Sequence, residues 1–358
     1  MAPSTEPQRK RPRNGNTSNT TSTHRKQRRR TVSIALPGSI VANAQSPELQ
    51  TYVAGQIARA AAVFCIDEIV VFHEDDDTNK QEYGHDARGQ GAPEPVSFLI
   101  TILRYLETPQ YLRKLLFPMS KSLRYVGLLN PLNLPSHLSL TDQSQWREGV
   151  VVNRNGFLDT HKKTDSRGRE EQTATRISPF VQAGLRRLVQ LQRPLDVGTR
   201  VTIDLGDNHG DHNSFPGRYI LAKAVDPEIR DEVVDQYWGY QVRQARSLSD
   251  VILNSPYQKG YDLVLGTSER GTPVNQPDLC LPAADHILLV FGGVHGLEHS
   301  ASCDPVLLEK GIGVTGNVAV ADLFDYYLNT CPKQGSRTIR TEEAIPISLA
   351  IFQSLKVI

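Results

Sequence analysis

Apolar and polar positions change rhythm three times along the chain. From Thr31, Val32-Ser33-Ile34-Ala35-Leu36 reads as a strand that Pro37-Gly38 ends. Ser46-Pro47-Glu48 then carries a helix start: a capping hydroxyl, a proline at the first helical position and a carboxylate in the positive first turn. Leu49, Tyr52, Val53, Ile57, Ala60, Val63 and Phe64 follow at helical spacing. Glu68-Ile69-Val70-Val71-Phe72 is a short apolar run of the kind buried on both faces of a sheet. Strand, helix and strand make a βαβ unit, so a parallel sheet begins here. A further helical region runs from about Ser97 to Phe117, broken at Thr108-Pro109.

From about residue 126 to 222 the runs are short and turn signals frequent. Gly149-Val150-Val151-Val152, Arg200-Val201-Thr202-Ile203-Asp204-Leu205 and Tyr219-Ile220-Leu221-Ala222 predict strands of a small all-β module, an OB-like barrel. After about residue 223 the α/β rhythm returns. Tyr261-Asp262-Leu263-Val264-Leu265 and His286-Ile287-Leu288-Leu289-Val290-Phe291 read as strands. A third apolar stretch lies around Leu323 to Leu328, and a last helix starts near Thr341 with Glu342 and Glu343 in its first turn. Pro346 falls inside that helix, where a proline removes a hydrogen bond. No internal repeat is found. The expected organisation is therefore a basic, disordered tail (1–30), the first part of an α/β domain (31–125), an inserted barrel (126–222) and the second part of the α/β domain (223–358).

Composition adds limits. At 358 residues, 39% hydrophobic and 22% charged, the chain suits a globular protein and excludes a fibrous or wholly disordered one. No run of about 18 apolar residues predicts a membrane span, and the N-terminus has no apolar signal core. Net charge is +1, but residues 1–30 hold nine basic residues against Glu6, leaving the rest mildly acidic at 31 basic to 38 acidic. Such a tail, rich in Asn, Ser and Thr, cannot bury enough apolar surface to fold. It can attract phosphate or serve as a nuclear address, and a merely solvated tail is the other reading. Residues 74–95, with Glu74-Asp75-Asp76-Asp77 and several Gly and Pro, read as a solvated loop, since the spacing of a calcium loop is missing. Cys65, Cys280, Cys303 and Cys331 form no C-x-x-C pair, which excludes a zinc cluster of that kind; Cys65 reads as a core residue.

Three of the predicted strands run into segments rich in Gly, Ser and Thr: Gly266-Thr267-Ser268-Glu269-Arg270-Gly271, Phe291-Gly292-Gly293-Val294-His295-Gly296, and Asn329 through Arg340. Ligands of open parallel sheets bind beyond the carboxyl ends of strands, and glycines let main-chain groups approach a ligand. Any one such segment is explained by an ordinary turn; three together predict a ligand pocket. Gly311-Ile312-Gly313-Val314-Thr315-Gly316 spells a dinucleotide-binding pattern but does not clearly follow a strand and open a helix. Asp207-Asn208-His209-Gly210-Asp211-His212 has metal-like residues without a second ligand cluster, so no metal is expected. His161-Lys162-Lys163-Thr164-Asp165-Ser166-Arg167-Gly168-Arg169 is a basic loop on the barrel; Lys162, Lys163, Arg167 and Arg169 are candidate RNA contacts, with solvated decoration the other reading.

Several of these stretches resemble the SPOUT-domain RNA methyltransferases of eukaryotes and archaea that carry an inserted barrel. They are Leu36-Pro37-Gly38-Ser39-Ile40, Asn43-Ala44-Gln45-Ser46-Pro47-Glu48-Leu49, Gly266-Thr267-Ser268-Glu269-Arg270-Gly271, Phe291-Gly292-Gly293, Asn329-Thr330-Cys331-Pro332 and, most specific, Gln334-Gly335-Ser336-Arg337-Thr338-Ile339-Arg340-Thr341-Glu342-Glu343-Ala344-Ile345. The resemblance covers about residues 31–355. It implies a parallel sheet with a C-terminal trefoil knot, a breach of the usual unknotted topology. It also implies S-adenosylmethionine as cofactor, RNA as substrate (a uridine of ribosomal RNA) and a homodimer. Thr267, Ser268, Arg270, Gly292, Gly293, Asn329, Thr330, Gln334, Ser336 and Ile339 are then the candidate cofactor contacts. Arg270 is the candidate cation for the uridine anion formed before methylation, and Arg340 the next; a salt bridge or phosphate contact is the competing role for either. Glu342 and Glu343 are expected to stabilise the last helix. Tail and resemblance together imply residence in the nucleus or nucleolus, and a spindle-associated member of the family adds spindle association. Two other readings stay open: a scaffold that keeps the fold without catalysis, and a nicotinamide enzyme built on Gly311 to Gly316.

Overall fold

The computed structural model describes residues 30–74, 94–154, 158, 177–206, 217–226, 236–312 and 319–358. The basic tail up to Arg29, Asp75 to Asp77, the Lys162–Arg169 loop, Asp207 to His212 and most of the Gly311–Gly316 motif lie outside those residues, while Arg30 donates to the Val357 carbonyl at 2.9 Å.

The α/β part is built on one six-stranded sheet. Its strands are β1 (Thr31–Pro37), β2 (Glu68–Phe72), β8 (Gln241–Ala245), β9 (Leu263–Pro273), β10 (His286–Phe291) and β11 (Tyr326–Asn329), in the order β11-β9-β10-β1-β2-β8. Every pair is parallel. Parallel strands need crossovers on both faces, and side chains of β1 show both. Ile34 and Leu36 join one buried cluster with α1 (Pro47–Val63), α2 (Pro95–Glu107) and α7 (Thr341–Ser354). Ala35 joins the other with α4 (Leu248–Leu253), α5 (Gly296–Ser302) and α6 (Pro305–Glu309). That two-sided burial explains why β1, β2 and β10 read as nearly continuous apolar runs. Helix α3 (Gln110–Leu116) follows the predicted break at Thr108-Pro109. Among the described residues no helix is long and apolar enough to cross a membrane.

Between the two halves sits a closed barrel of β3 (Trp146–Val152), β4 (Ile177–Gln182), β5 (Val189–Asp196), β6 (Arg200–Asp204) and β7 (Ile220–Val225), in the order β3-β4-β5-β7-β6. β5 and β7 pair in parallel, and the other pairs are antiparallel. This is the sheet plus inserted OB-like barrel that the resemblance implied. Residues 117–145 form a loop with two short 3-10 helices (Lys121–Leu123 and Val126–Leu128), and Leu132 and Leu134 are buried in the α1–α2 cluster.

The barrel is tied to the body by charge. Arg200 donates to both carboxylate oxygens of Glu107 on α2, at 2.6 and 2.8 Å, and to Glu148 on β3 at 3.0 Å. Glu148 also accepts from Thr202 and from the Trp238 indole, each at 2.8 Å. Burial works against the Arg200 charge, but the two carboxylates outweigh it and hold its pKa above the ordinary value.

Three expectations change. Cys65 is exposed, because α1 ends at Val63 and Cys65 takes a left-handed conformation (φ 54°) just past it; Ile66 resumes the burial. Glu74 is 7% exposed, not part of a solvated run, because hydroxyl donors take up its carboxylate. Gly266 to Gly271 is strand, not loop: β9 continues to Pro273 and pairs with β11 across a register shift. Its glycines serve close approach instead of turning. A Cβ at Gly266 would lie 2.6 Å from the Phe324 ring, and one at Gly271 2.5 Å from the Leu328 backbone.

Candidate active site

The carboxyl ends of β9, β10 and β11 converge with the 3-10 turn Gly38–Asn43 that follows β1. Between them lies a cleft of about 680 Å3, within the roughly 300–1,000 Å3 typical of small-molecule sites. Thr267, Ser268, Arg270, Gly292, Gly293, Asn329, Thr330, Gln334, Ile339 and Arg340 all line it. Ser336 does not; it is exposed, and its carbonyl accepts from Gln334 Nε2 at 3.1 Å. Lys162, Lys163, Arg167 and Arg169 lie outside the described residues.

Short polar side chains fix the walls. Thr267 Oγ1 donates to the Val290 carbonyl at 3.0 Å, joining β9 to β10. Asn329 Nδ2 donates to the Glu269 carbonyl at 2.8 Å, while its Oδ1 accepts from the Cys331 amide at 2.9 Å. Thr330 and Ser348 share a hydrogen bond of 2.8 Å, and Thr341 Oγ1 donates to the Gly292 carbonyl at 2.8 Å. The last two anchor the segment after β11, and α7 with it, to the floor. Behind Gly293, the Glu74 carboxylate accepts from Ser39 and, at 2.5 Å, from Ser300. It stitches the first turn to α5. A Cβ at Gly293 would lie 3.1 Å from Glu74 Oε2 and 3.3 Å from Ser39 Oγ, so this glycine lets the chain lie flat on that wall.

The two candidate arginines differ in their partners. Arg270 Nη1 lies 3.3 Å from Glu298 Oε1, with its side chain 71% exposed; most of its five N–H donors face solvent. Arg340 Nη1 is 3.8 Å from Glu342 Oε1, and its backbone N–H donates to Glu343 Oε2 at 3.0 Å. Glu343 thus caps α7, as expected of it. Glu342 is one-tenth exposed on the cleft wall. Helix α7 continues past Pro346 to Ser354, and the hydrogen bond that the proline cannot make is the one to the Glu342 carbonyl.

The residue that sequence reasoning missed is Glu298, in the first turn of α5. It lines the cleft, faces Arg270, and accepts from the Tyr327 hydroxyl at 3.4 Å. Burial raises the Tyr327 pKa, the Ser268 hydroxyl counteracts it and Glu298 adds to it, so the phenol stays a donor at neutral pH. A carboxylate two residues beyond Gly296, where a glycine-rich segment turns into a helix, was the available signal. Carboxylate and guanidinium side by side can take up a proton and support a developing negative charge at one place.

A family model described as "Putative RNA methyltransferase" matches residues 31–352. The chain is 45% identical over 331 residues to a human protein named "28S rRNA (uridine-N(3))-methyltransferase", spanning 90% of this chain and 78% of the human one. A mouse protein of the same name is 44% identical over 328 residues, spanning 90% and 76%. An uncharacterized protein of Halobacterium salinarum is 30% identical over 331 residues and is spanned over 97% of its length, so nearly all of that chain has a counterpart here.

Proposed function

The chain belongs to this family of RNA methyltransferases, and on that premise we propose that it methylates N3 of a uridine in large-subunit ribosomal RNA, using S-adenosylmethionine. The observation that carries the reading is the Arg270–Glu298 pair facing a cleft of cofactor size. The residues present fit the cofactor: Gly292, Gly293 and the Asn329–Thr330 segment offer main-chain groups, and Ile339 an apolar wall. Thr267, Ser268 and Gln334 add polar contacts. When bound, S-adenosylmethionine supplies a methyl group on a positively charged sulfur and leaves as the neutral thioether.

The chain's own residues handle the acceptor. The imide edge of uracil presents an N–H between two carbonyl oxygens, and N3 becomes a nucleophile only after losing that proton. Glu298 accepts the proton. Arg270 donates to a ring oxygen and supports the charge that develops there. Tyr327 keeps Glu298 turned toward Arg270. Holding acceptor and methyl in line supplies much of the rate, and the Thr330–Ser348 and Thr341–Gly292 bonds keep the walls in place for it. A ribosomal substrate and a basic tail both suit residence in the nucleus or nucleolus.

The test is titration calorimetry with S-adenosylmethionine. Ala344 lines the cleft on α7, and an arginine there keeps helix propensity while filling the space. The expected result is saturable binding by the unaltered chain, lost in Ala344→Arg at an unchanged melting temperature. A folded protein that binds no cofactor overturns the reading and favours a scaffold. An arginine at Gly293 would be a poorer probe, since it would collide with Ser39 and Glu74 first.

A homodimer is part of the proposal. Leu49, Tyr52 and Val63 on α1 are 51%, 56% and 57% exposed. Tyr52 and Val63 flank a shallow apolar cleft with Leu129 and Pro346. Exposed apolar groups gathered in this way mark an interface. Tyr52→Glu is expected to convert a dimer into a monomer by light scattering after gel filtration. A Tyr52→Glu variant that stays dimeric moves the interface elsewhere.

A further inference from the structure

On the barrel, register sets an unusual row. Val152 pairs with Phe180, Phe180 with Gln190, and Gln190 with Leu221. Their neighbours Val181, Val189 and Ile220 point into the barrel core, so Phe180, Gln190 and Leu221 share the outer face. Val152 is buried against α3, and Phe180 packs partly on that cluster. Phe180 also meets Tyr219, with centroids 4.8 Å apart and planes tilted 43°. Leu221 is 66% exposed.

Two arginines meet the Tyr219 side chain, and a third holds the backbone just before it. Arg154 Nε donates to the Tyr219 hydroxyl at 3.3 Å, and Arg218 Cζ lies 5.7 Å from the ring centroid. Arg187 Nη1 donates to the Gly217 carbonyl at 2.8 Å. Arg154 and Arg218 are both exposed, next to an aromatic pair that packs partly against the cluster of α3 and β3.

We infer that this face is a stacking platform for unpaired bases of a single-stranded RNA segment, with Arg154, Arg187 and Arg218 meeting its phosphates. The ligand must combine flat apolar faces with repeated negative charge, and a single strand of nucleic acid has both. A duplex hides its base faces and is not bound this way. An acidic protein segment would satisfy the arginines but leave the ring and Leu221 without matching surface. The inference rests on the RNA substrate proposed above for the identity of the polymer, and assigns the barrel a contact separate from the methyl-transfer cleft.

The test is fluorescence anisotropy of the full chain with a labelled 12-nucleotide oligouridine, a 12-base-pair RNA duplex and polyglutamate as competitor. Tyr219→Leu is expected to raise Kd for the single strand by about tenfold, and Tyr219→Phe to keep it within about twofold. Arg218→Gln and Arg154→Gln are each expected to lower the slope of log Kd against log salt by about 0.7, as for one single-strand phosphate contact. These two carry the test if Tyr219→Leu lowers the melting temperature. The platform is overturned by an unchanged Kd in Tyr219→Leu with unchanged slopes, by equal losses on the duplex, by Phe no better than Leu, or by polyglutamate competing as well as RNA. Cofactor titration of the same proteins separates the two readings. A chain that binds S-adenosylmethionine while Tyr219→Leu binds RNA normally loses only the platform, whereas one that binds neither cofactor nor RNA loses both.

Discussion

Glu298→Gln is expected to lower the methyl-transfer rate by about 100- to 10,000-fold, the usual contribution of a positioned proton acceptor, while cofactor affinity stays within about twofold. The amide has the size of the carboxylate and keeps an oxygen for the Tyr327 hydroxyl, so the wall of the cleft is preserved. What disappears is the group that takes the N3 proton and the charge facing Arg270. The loss should fall on kcat and leave KM for RNA nearly unchanged, because the interaction forms only as the proton departs. Glu298→Asp should recover part of the rate. Arg270→Ala is expected to cost about 100- to 1,000-fold, typical of removing one donor to a developing oxyanion. Since the two residues act on one event, the double variant should be little worse than the poorer single one. Single-turnover assays on the RNA substrate measure all of this. A Glu298→Gln protein with near-normal kcat would mean that the proton leaves by another route; one that also fails to bind cofactor would make Glu298 a wall residue.

How far the chain could be read in advance depended on how local each signal was. β1, α1 and β2 were legible because a two-faced sheet demands continuous apolar runs and because Ser46 and Pro47 mark the helix start; in the structure the Ser46 hydroxyl accepts from the Leu49 amide. β8 was not, since Gln241-Val242-Arg243-Gln244-Ala245 lies at the sheet edge and offers only a weak alternation. Glycines misled at Gly266 and Gly271, where they allow Phe324 and the Leu328 backbone to press against β9, a packing demand that resembles a turn signal in one dimension. The grouping of three strand ends into one cleft followed from the parallel-sheet rule, but its fourth side, with Ile40, Asn43 and Ala44, did not. Glu298 escaped because its meaning lies in its distance to Arg270, 28 residues earlier. The SPOUT identity came from the resemblance of whole segments, and no pattern of apolar positions would have supplied it.

The longest-range feature also carries the largest stability effect. Arg200 and Glu107 are 93 residues apart, and Arg200 and Glu148 are 52 apart, yet they form one ion cluster between barrel and body. Arg200→Met is expected to destabilise the barrel's attachment by about 2–4 kcal/mol, below the full cost of removing one partner from a buried pair because the Arg200 side chain is 31% exposed. The carboxylate side chains are only 10% and 6% exposed, so the charge left behind is mainly that of the two buried carboxylates. Glu148 would still receive Thr202 and Trp238, two neutral donors, but Glu107 would lose the bidentate contact that gives it most of its compensation. The expected readout is urea unfolding in which a barrel transition, followed by Trp146 and Trp238 fluorescence, separates and moves to lower denaturant. Neutralising the whole cluster, as Arg200→Met with Glu107→Gln and Glu148→Gln, should recover much of the loss, because no buried charge then stands without a counter-charge. An Arg200→Met protein within about 1 kcal/mol of the original would rank the cluster with exposed surface pairs and leave the apolar contact of α3 with β3 as the principal tie. A detached barrel should leave S-adenosylmethionine binding intact while abolishing transfer to long RNA, since every residue lining the cofactor cleft comes from the α/β part and none from the barrel.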